Sequence, residues 1–319
     1  MNELENKVLG VLSAYNIQIN NINVVIGAAV SLIKVYPVLG TKAAVIRNVS
    51  DEIALSLGVS DVRVVTMADC IGIEVPNAKP VPVLMEDLLK SAEFKNSTAI
   101  IPLPIGQTID GMVKVMDLID APNILVGGAP EQGESMFLEG IEKAIAIKKS
   151  EGIVQVVHIT PKKEDNPQDG VRDMLKDLCD ELDRRYCTLA EDGLSNIQAH
   201  NNNIEEKMPY IVVVIEEYSR LADDRDIMKV ILYLARKGKK VGLHMIISTS
   251  IPTVDIISNS IKAAFPTRVA FRARSRIDSM TIIDIPGAEK LIGNGDMLLV
   301  YKAEVVRLQG YKDYHCIKM

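Results

Sequence analysis

Five short runs of almost unbroken apolar residues recur after the first third of the chain, at Ile124–Val126, Ile153–Val157, Ile211–Ile215, His244–Ser248 and Val269–Phe271, each followed by sequence patterned for helix. A strand that is apolar on both faces cannot present either face to water. It belongs inside a parallel sheet covered by helices on both sides. The intervening segments agree. From Asp169 to Tyr186, Val171, Met174, Leu175, Leu178 and Leu182 share one helical face, with acids and arginines on the other. The expected fold is therefore α/β, without internal repeats or low-complexity segments. Composition adds exclusions. Of 319 residues, 48% are hydrophobic and 24% charged, which excludes a disordered, collagen-like or coiled-coil chain. Thirty-six basic and 42 acidic residues leave a net charge of −6, which argues against coating nucleic acid with the whole surface and permits a local basic stripe.

The N-terminal region reads differently. An amphipathic helix at Glu3–Tyr15 precedes strands at Val24–Ile26 and Ser31–Tyr36. Thr41–Leu57 has a capping Thr and helical spacing of Ala44, Val45, Val49, Ile53, Ala54 and Leu57. Strands follow at Val62–Val65 and Ile71–Glu74. This is a small α+β unit. Between Val75 and Pro82 three prolines fall in eight residues. Proline fixes φ and removes a backbone donor, so an extended linker is expected, dividing the chain into residues 1–78 and 79–319. The stretch Val24–Leu39 is broken by Gly27, Ser31, Lys34 and Pro37 and is too short to span a bilayer. No membrane segment or signal peptide is expected, and the location expected is cytoplasmic. Cys70, Cys179, Cys187 and Cys316 form no C-x-x-C pair, His158, His200, His244 and His315 are equally scattered, and neither set is read as a metal or catalytic site.

The chemistry concentrates after the first solid run. Gly127-Gly-Ala-Pro-Glu-Gln-Gly-Glu-Ser-Met136 leads into a helix reaching about Lys149, and Gly128, Gly133 and Ser135 have the spacing of a phosphate-binding loop. In such a loop backbone N–H groups wrap a phosphate, a lysine meets the β and γ oxygens, and a hydroxyl holds Mg²⁺. Here the lysine position is Glu134, with Glu131 as a second acid. At ~4 Å and an effective dielectric of ~20 a charge pair is worth about 4 kcal/mol, and this exchange turns one attraction into a repulsion. The half-charge of a helix dipole does not offset that. Lys148, Lys149 and Lys163 are the nearest stand-ins, none at a spacing that recommends it. Downstream, Tyr210-Ile-Val-Val-Val-Ile-Glu-Glu217 is a buried strand ending in two carboxylates. In a phosphate-loop ATPase the first serves the Mg²⁺ shell and the second activates water.

These residues resemble the FtsK/SpoIIIE family of DNA translocases, and the resemblance runs through most of the chain. Leu39–Leu57 is similar to a helix of that family's α subdomain, Ile73–Asn77 to its exit into the motor, and Met208–Glu217 to the Walker B strand. Leu234–His244, Pro252–Phe271, Arg276–Asp284 and Pro286–Met297 follow in the family's order. The resemblance implies a RecA-like P-loop core preceded by an α+β subdomain, ATP and Mg²⁺ as cofactors, and a hexameric ring around double-stranded DNA. It also implies roles and losses. Gly128, Gly133, Glu134 and Ser135 form a degenerate Walker A motif. Glu217 is the retained catalytic glutamate, and Ser135 with Glu216 would hold Mg²⁺. Ser250 stands at the sensor position, beside Ile251, and Met280 at the arginine-finger position. The segment between Lys163 and Asp169 is shorter than the family's. The DNA-contact candidates are Arg236, Lys237, Lys239 and Lys240 in one cluster and Arg272, Arg274 and Arg276 in another. Three functions follow as expectations. The first is a ring-forming, DNA-associated subunit with impaired or lost hydrolysis, alone or with FtsK-like subunits, as scaffold or regulator. The second is an active ATP-driven translocase in chromosome segregation. The third is a coupling component of a secretion or conjugation system.

Overall fold

The computed structural model describes residues 3–161 and 170–311, and all structural statements concern these. The N-terminal unit comprises α1 (Glu3–Ala14), β1 (Ile19–Ile26), β2 (Val30–Pro37), α2 (Ala43–Arg47), α3 (Ser50–Leu57), β3 (Arg63–Thr66) and β4 (Ile71–Pro76). The strands form an antiparallel sheet in the order β1-β2-β4-β3. Val8 and Leu12 of α1, Ile46 of α2, Ile53 of α3, and Ile33 and Ile73 of the strands share its core. The single helix expected over Thr41–Leu57 is broken. Asn48 caps α2, and Val49, at φ −110° and ψ 20°, precedes α3, whose first turn carries Asp51 and Glu52. Acids there complement the helix dipole, so the sequence restarts a helix where apolar spacing alone continues one. Thr41 is not the cap. Lys42 holds that position without a side-chain hydrogen bond.

The proline-rich segment is docked rather than free. Asn77 N–H donates to Ala29 O (2.9 Å), its side-chain amide to Gly27 O (2.7 Å), and Val81 N–H to Ala28 O (2.8 Å). Two short helices, α4 (Met85–Lys90) and α5 (Ala92–Lys95), then lead into a nine-stranded sheet. Its strands are β5 (Pro102–Gln107), β6 (Val113–Asp117), β7 (Asn123–Gly127), β8 (Val154–Ile159), β9 (Tyr210–Ile215), β10 (Leu243–Thr249), β11 (Thr267–Phe271), β12 (Asp296–Tyr301) and β13 (Glu304–Gln309). The spatial order is β6-β5-β13-β12-β11-β7-β10-β9-β8. The five solid runs are the five parallel strands, β11-β7-β10-β9-β8, and the other four extend the sheet antiparallel.

Alternation along each strand explains why those runs are solid. Ile211, Val213 and Ile215 enter one core with Leu175, Leu182, Ile231 and Leu234. Tyr210, Val212 and Val214 enter the opposite core with Phe137, Ile141 and Ile145. Helices α7 (Val171–Glu191) and α9 (Arg225–Val241) thus cover one face and α6 (Glu134–Ser150) the other. Three shorter helices complete the fold, α8 (Ile197–Asn203), α10 (Asn259–Ala264) and α11 (Arg276–Ile283).

The two units are tied by a buried ion cluster. Arg307 of β13 donates to Asp296 (2.6 and 2.9 Å) and across to Glu74 of β4 (2.6 Å), which Arg63 also meets at 2.9 Å. Burial lowers the Arg307 pKa, but Asp296 and Glu74 outweigh it, so the guanidinium is held charged.

Candidate functional site

Strand β7 carries the phosphate-loop sequence to the carboxyl end of the parallel strands, where α/β sheets bind ligands. Its last residue, Gly127, lies between Thr249 of β10 and Ala270 of β11. The loop is fixed from both sides. Ala129 N–H donates to Arg272 O (2.8 Å), and Gln132 O accepts from Gly295 N–H (2.9 Å). Gly133 has φ +130°, and a Cβ there would stand 3.0 Å from Gly295 Cα and 3.1 Å from Phe271, so glycine is required. Helix α6 starts at the next residue.

Glu134 does not point away from this loop. Its carboxylate folds back into it, so close to Gly128 that a Cβ there would collide with Oε1. Oε2 accepts from Gln132 N–H at 3.2 Å, whereas Oε1 is buried without a hydrogen bond. Burial is the largest influence on this acid and raises its pKa. The backbone N–H groups of Glu134, Gln132 and Gly133 oppose the rise, the charge of Glu217 adds to it, and the result is pushed up to about 7. The N–H groups of the loop form a nest, and the group seated in it is the chain's own carboxyl, held by one hydrogen bond and disfavoured there in its ionised form.

Glu217 lies across the site, after β9, at φ 45° and ψ 52°. Its Oε1 accepts from Ser219 Oγ (2.7 Å), Ser250 N–H (3.0 Å) and Thr249 Oγ1 (3.3 Å), and Oε2 accepts from Ser250 Oγ (2.7 Å). Burial again works upward on the pKa, and these hydrogen bonds overcome it, leaving the carboxyl below its ordinary value. A carboxylate with four donors holding its ionised form is a weak proton acceptor. Ser219 and Thr249 escaped the sequence reading, although both are signalled by hydroxyls beside the glutamate and at the end of the next parallel strand.

The remaining candidates separate. Ser135 is exposed on the first turn of α6, and Glu216 is partly exposed, its N–H donating to Ile159 O (3.1 Å). Among the described residues no three His, Cys, Asp or Glu side chains converge on a metal-binding point. Met280 is exposed on α11, where its thioether supplies no positive charge, and Ile251, next to Ser250, is half exposed. Lys148 and Lys149 stand near the far end of α6, about 20 Å of helix from the loop. Lys163 and the short segment up to Asp169 lie outside the described residues.

The basic clusters fall at opposite ends of the sheet. Arg236, Lys237, Lys239 and Lys240 are exposed on the last turns of α9, which feeds the amino end of β10. Arg272, Arg274 and Arg276 follow the carboxyl end of β11, exposed and alternating with buried Phe271 and Ala273, and Arg272 abuts the phosphate loop.

Bound to this loop, a Mg²⁺-nucleotide would meet Glu134 where its β-phosphate needs N–H donors and a lysine. The site does not fit a polyphosphate while Glu134 occupies it.

Comparison with known proteins agrees with the architecture. Residues 1–77 match the FtsK alpha domain and residues 84–165 the FtsK/SpoIIIE family. The DNA translocase SftA of Bacillus subtilis (strain 168) is 35% identical over 94% of this chain and 34% of its own length. The DNA translocase SpoIIIE of the same organism is 34% identical over 89% of this chain and 40% of its own length. The chain thus spans well under half of these relatives. Among solved structures, the pCW3 conjugation coupling protein TcpA, in a monomer form with ATPgS, superposes with TM-score 0.65 at 19% identity, covering 97% of this chain and 95% of that one. The cytoplasmic domain of the Thermomonospora curvata type VII secretion ATPase EccC gives TM-score 0.63 at 19% identity, over 72% of this chain and 32% of that one. Among the described residues no helix is long and apolar enough to cross a membrane. With the two domains in family order and similarity to its translocases over 89–94% of this chain, the chain belongs to the FtsK/SpoIIIE family.

Proposed function

We propose that this chain is a non-hydrolysing member of its family, a cytoplasmic subunit that keeps the motor fold for ring assembly on double-stranded DNA. It acts as a scaffold or as a regulatory partner of FtsK-like subunits, in a ring of six. One observation carries the reading, the Glu134 carboxylate seated in the phosphate loop. The retained Glu217 is held ionised by hydroxyls, and two further positions point the same way, Ser250 at the sensor and Met280 at the finger. Selection on hydrolysis would not leave Glu134, Ser250 and Met280 together while the sheet and both cores stay intact.

The cluster Arg236, Lys237, Lys239 and Lys240 is our choice for contact with DNA phosphates, because it lies away from the nucleotide end. Four phosphate contacts give a slope of about −3.6 in log K against log salt, and neutralising one lysine lowers it by about 0.9. Phosphate release in the presence of duplex DNA tests the central reading. No DNA-stimulated turnover is expected. Stimulated turnover would replace the proposal with an active translocase, and absence of DNA affinity at low salt would favour a coupling role on protein.

A further inference from the structure

A cleft of about 490 Å³ opens between the two units, away from the phosphate loop. Four cations line it, Arg47 and Arg63 from the N-terminal unit and Arg276 and Lys290 from the motor unit, against one acid, Glu289. That acid is turned aside, accepting from Gly287 N–H at 2.7 Å. Lys290 meets Asp61 at 3.2 Å. Arg63 meets Glu74 through Nη1 alone, and its Nε and Nη2 make no hydrogen bond among the described residues. Arg47 donates to Thr66 Oγ1, and neither Arg47 nor Arg276 forms an ion pair among the described residues. Gly287, at φ +132°, completes the wall. A Cβ there would stand 2.9 Å from Arg63 Nε, so glycine lets the guanidinium lie along the cleft.

Cations of one sign lining one cleft reinforce each other's field, guanidinium forks match the oxygens of phosphate and carboxylate bidentately, and the several negative charges of a phosphate-bearing group answer four cations better than a single carboxylate does. A volume near 490 Å³ is that of a small-ligand site. The geometry points to a second anion site, in which a phosphate-bearing group bridges Arg47 and Arg63 to Arg276 and Lys290 and so fixes one unit against the other. The phosphate comes from a free polyphosphate or nucleotide, or from a nucleic-acid backbone. This inference does not rest on the loss of hydrolysis proposed above.

The test is calorimetric titration of the whole chain with inorganic tripolyphosphate, in chelator and at low salt. Arg47→Gln and Arg276→Gln are the cleft variants, and Lys176→Gln on α7 is the control. All three side chains are exposed, so folding is retained. The wild type and Lys176→Gln bind equally, and each cleft variant weakens binding about tenfold, the value of one charge-assisted contact. Duplex DNA that displaces the tripolyphosphate, with the same dependence on Arg47 and Arg276, assigns the phosphate to a nucleic acid, and failure to displace it assigns a free anion. No binding by the wild type, or binding that both cleft variants leave unchanged, overturns the inference.

Discussion

Glu134 makes the stability of this protein depend on pH in a direction opposite to that of a salt-bridged carboxylate. Its folded pKa is pushed from 4.5 to about 7 by burial. The folded chain therefore binds the proton more tightly than the unfolded chain between those values. Stability falls as pH rises through that window and is fully lowered above it. At about 1.36 kcal/mol per unit, the ionised carboxylate destabilises the fold by about 3 kcal/mol. Glu134→Gln keeps the shape and an acceptor for Gln132 N–H without the charge. Its amide nitrogen finds no partner in the place of Oε1, a cost of about 1–3 kcal/mol at any pH. The clean observable is thus the change in the stability difference between variant and wild type, not its absolute value. Urea unfolding at pH 8 and at pH 4.5 measures it. In favour of the variant, the difference grows by about 3 kcal/mol toward the higher pH. A difference that stays constant would show that the carboxylate is solvated outside the loop and would remove the main argument against nucleotide binding.

Other outcomes follow from the same contacts. Glu134→Lys gains nucleotide affinity in calorimetry without brisk phosphate release, because Ser250, Ile251 and Met280 remain; brisk turnover would mean those positions matter less than argued. Ser250→Ala removes the Oγ hydrogen bond to Glu217, keeping that of the backbone N–H, and raises the Glu217 pKa toward the ordinary value, read by carboxyl NMR titration, and an unmoved pKa contradicts the hydrogen-bond account. His244, buried with neither ring nitrogen bonded, has its pKa pushed down by burial to about 4 from 6.5. The unfolded chain then binds the extra proton below pH 6.5, so stability is lost as pH falls toward 4, and His244→Phe removes about 3 kcal/mol of that loss. Arg307→Met leaves Asp296 and Glu74 buried without their cation and destabilises the fold by about 3–5 kcal/mol in urea unfolding; a neutral result would show the ion cluster to be dispensable.

The parallel half of the sheet was legible because each strand feeds two cores at once, which leaves no polar residue in Ile211–Ile215. The antiparallel half was not. Pro102 and Pro104 lie in β5, where proline normally argues against a strand. The hairpin between β12 and β13 turns on Lys302 and Ala303, both at positive φ (48° and 65°), where Asn-Gly is the usual sequence signal. The site was half legible. Glycine spacing located the loop and the substitution at Glu134, but sequence does not show that the carboxylate returns into the nest. Arg47, Arg63 and Arg276 come together only through the docking of one unit on the other, a juxtaposition that no local pattern records.

Calorimetric titration of the purified chain with Mg·ATP at moderate salt tests the central claim most directly. With Glu134 in the phosphate loop, binding there is expected to be weaker than about 1 mM. Micromolar binding that Arg47→Gln and Arg276→Gln leave intact would place a nucleotide in the loop despite Glu134 and contradict the proposed loss of ATP turnover at its foundation.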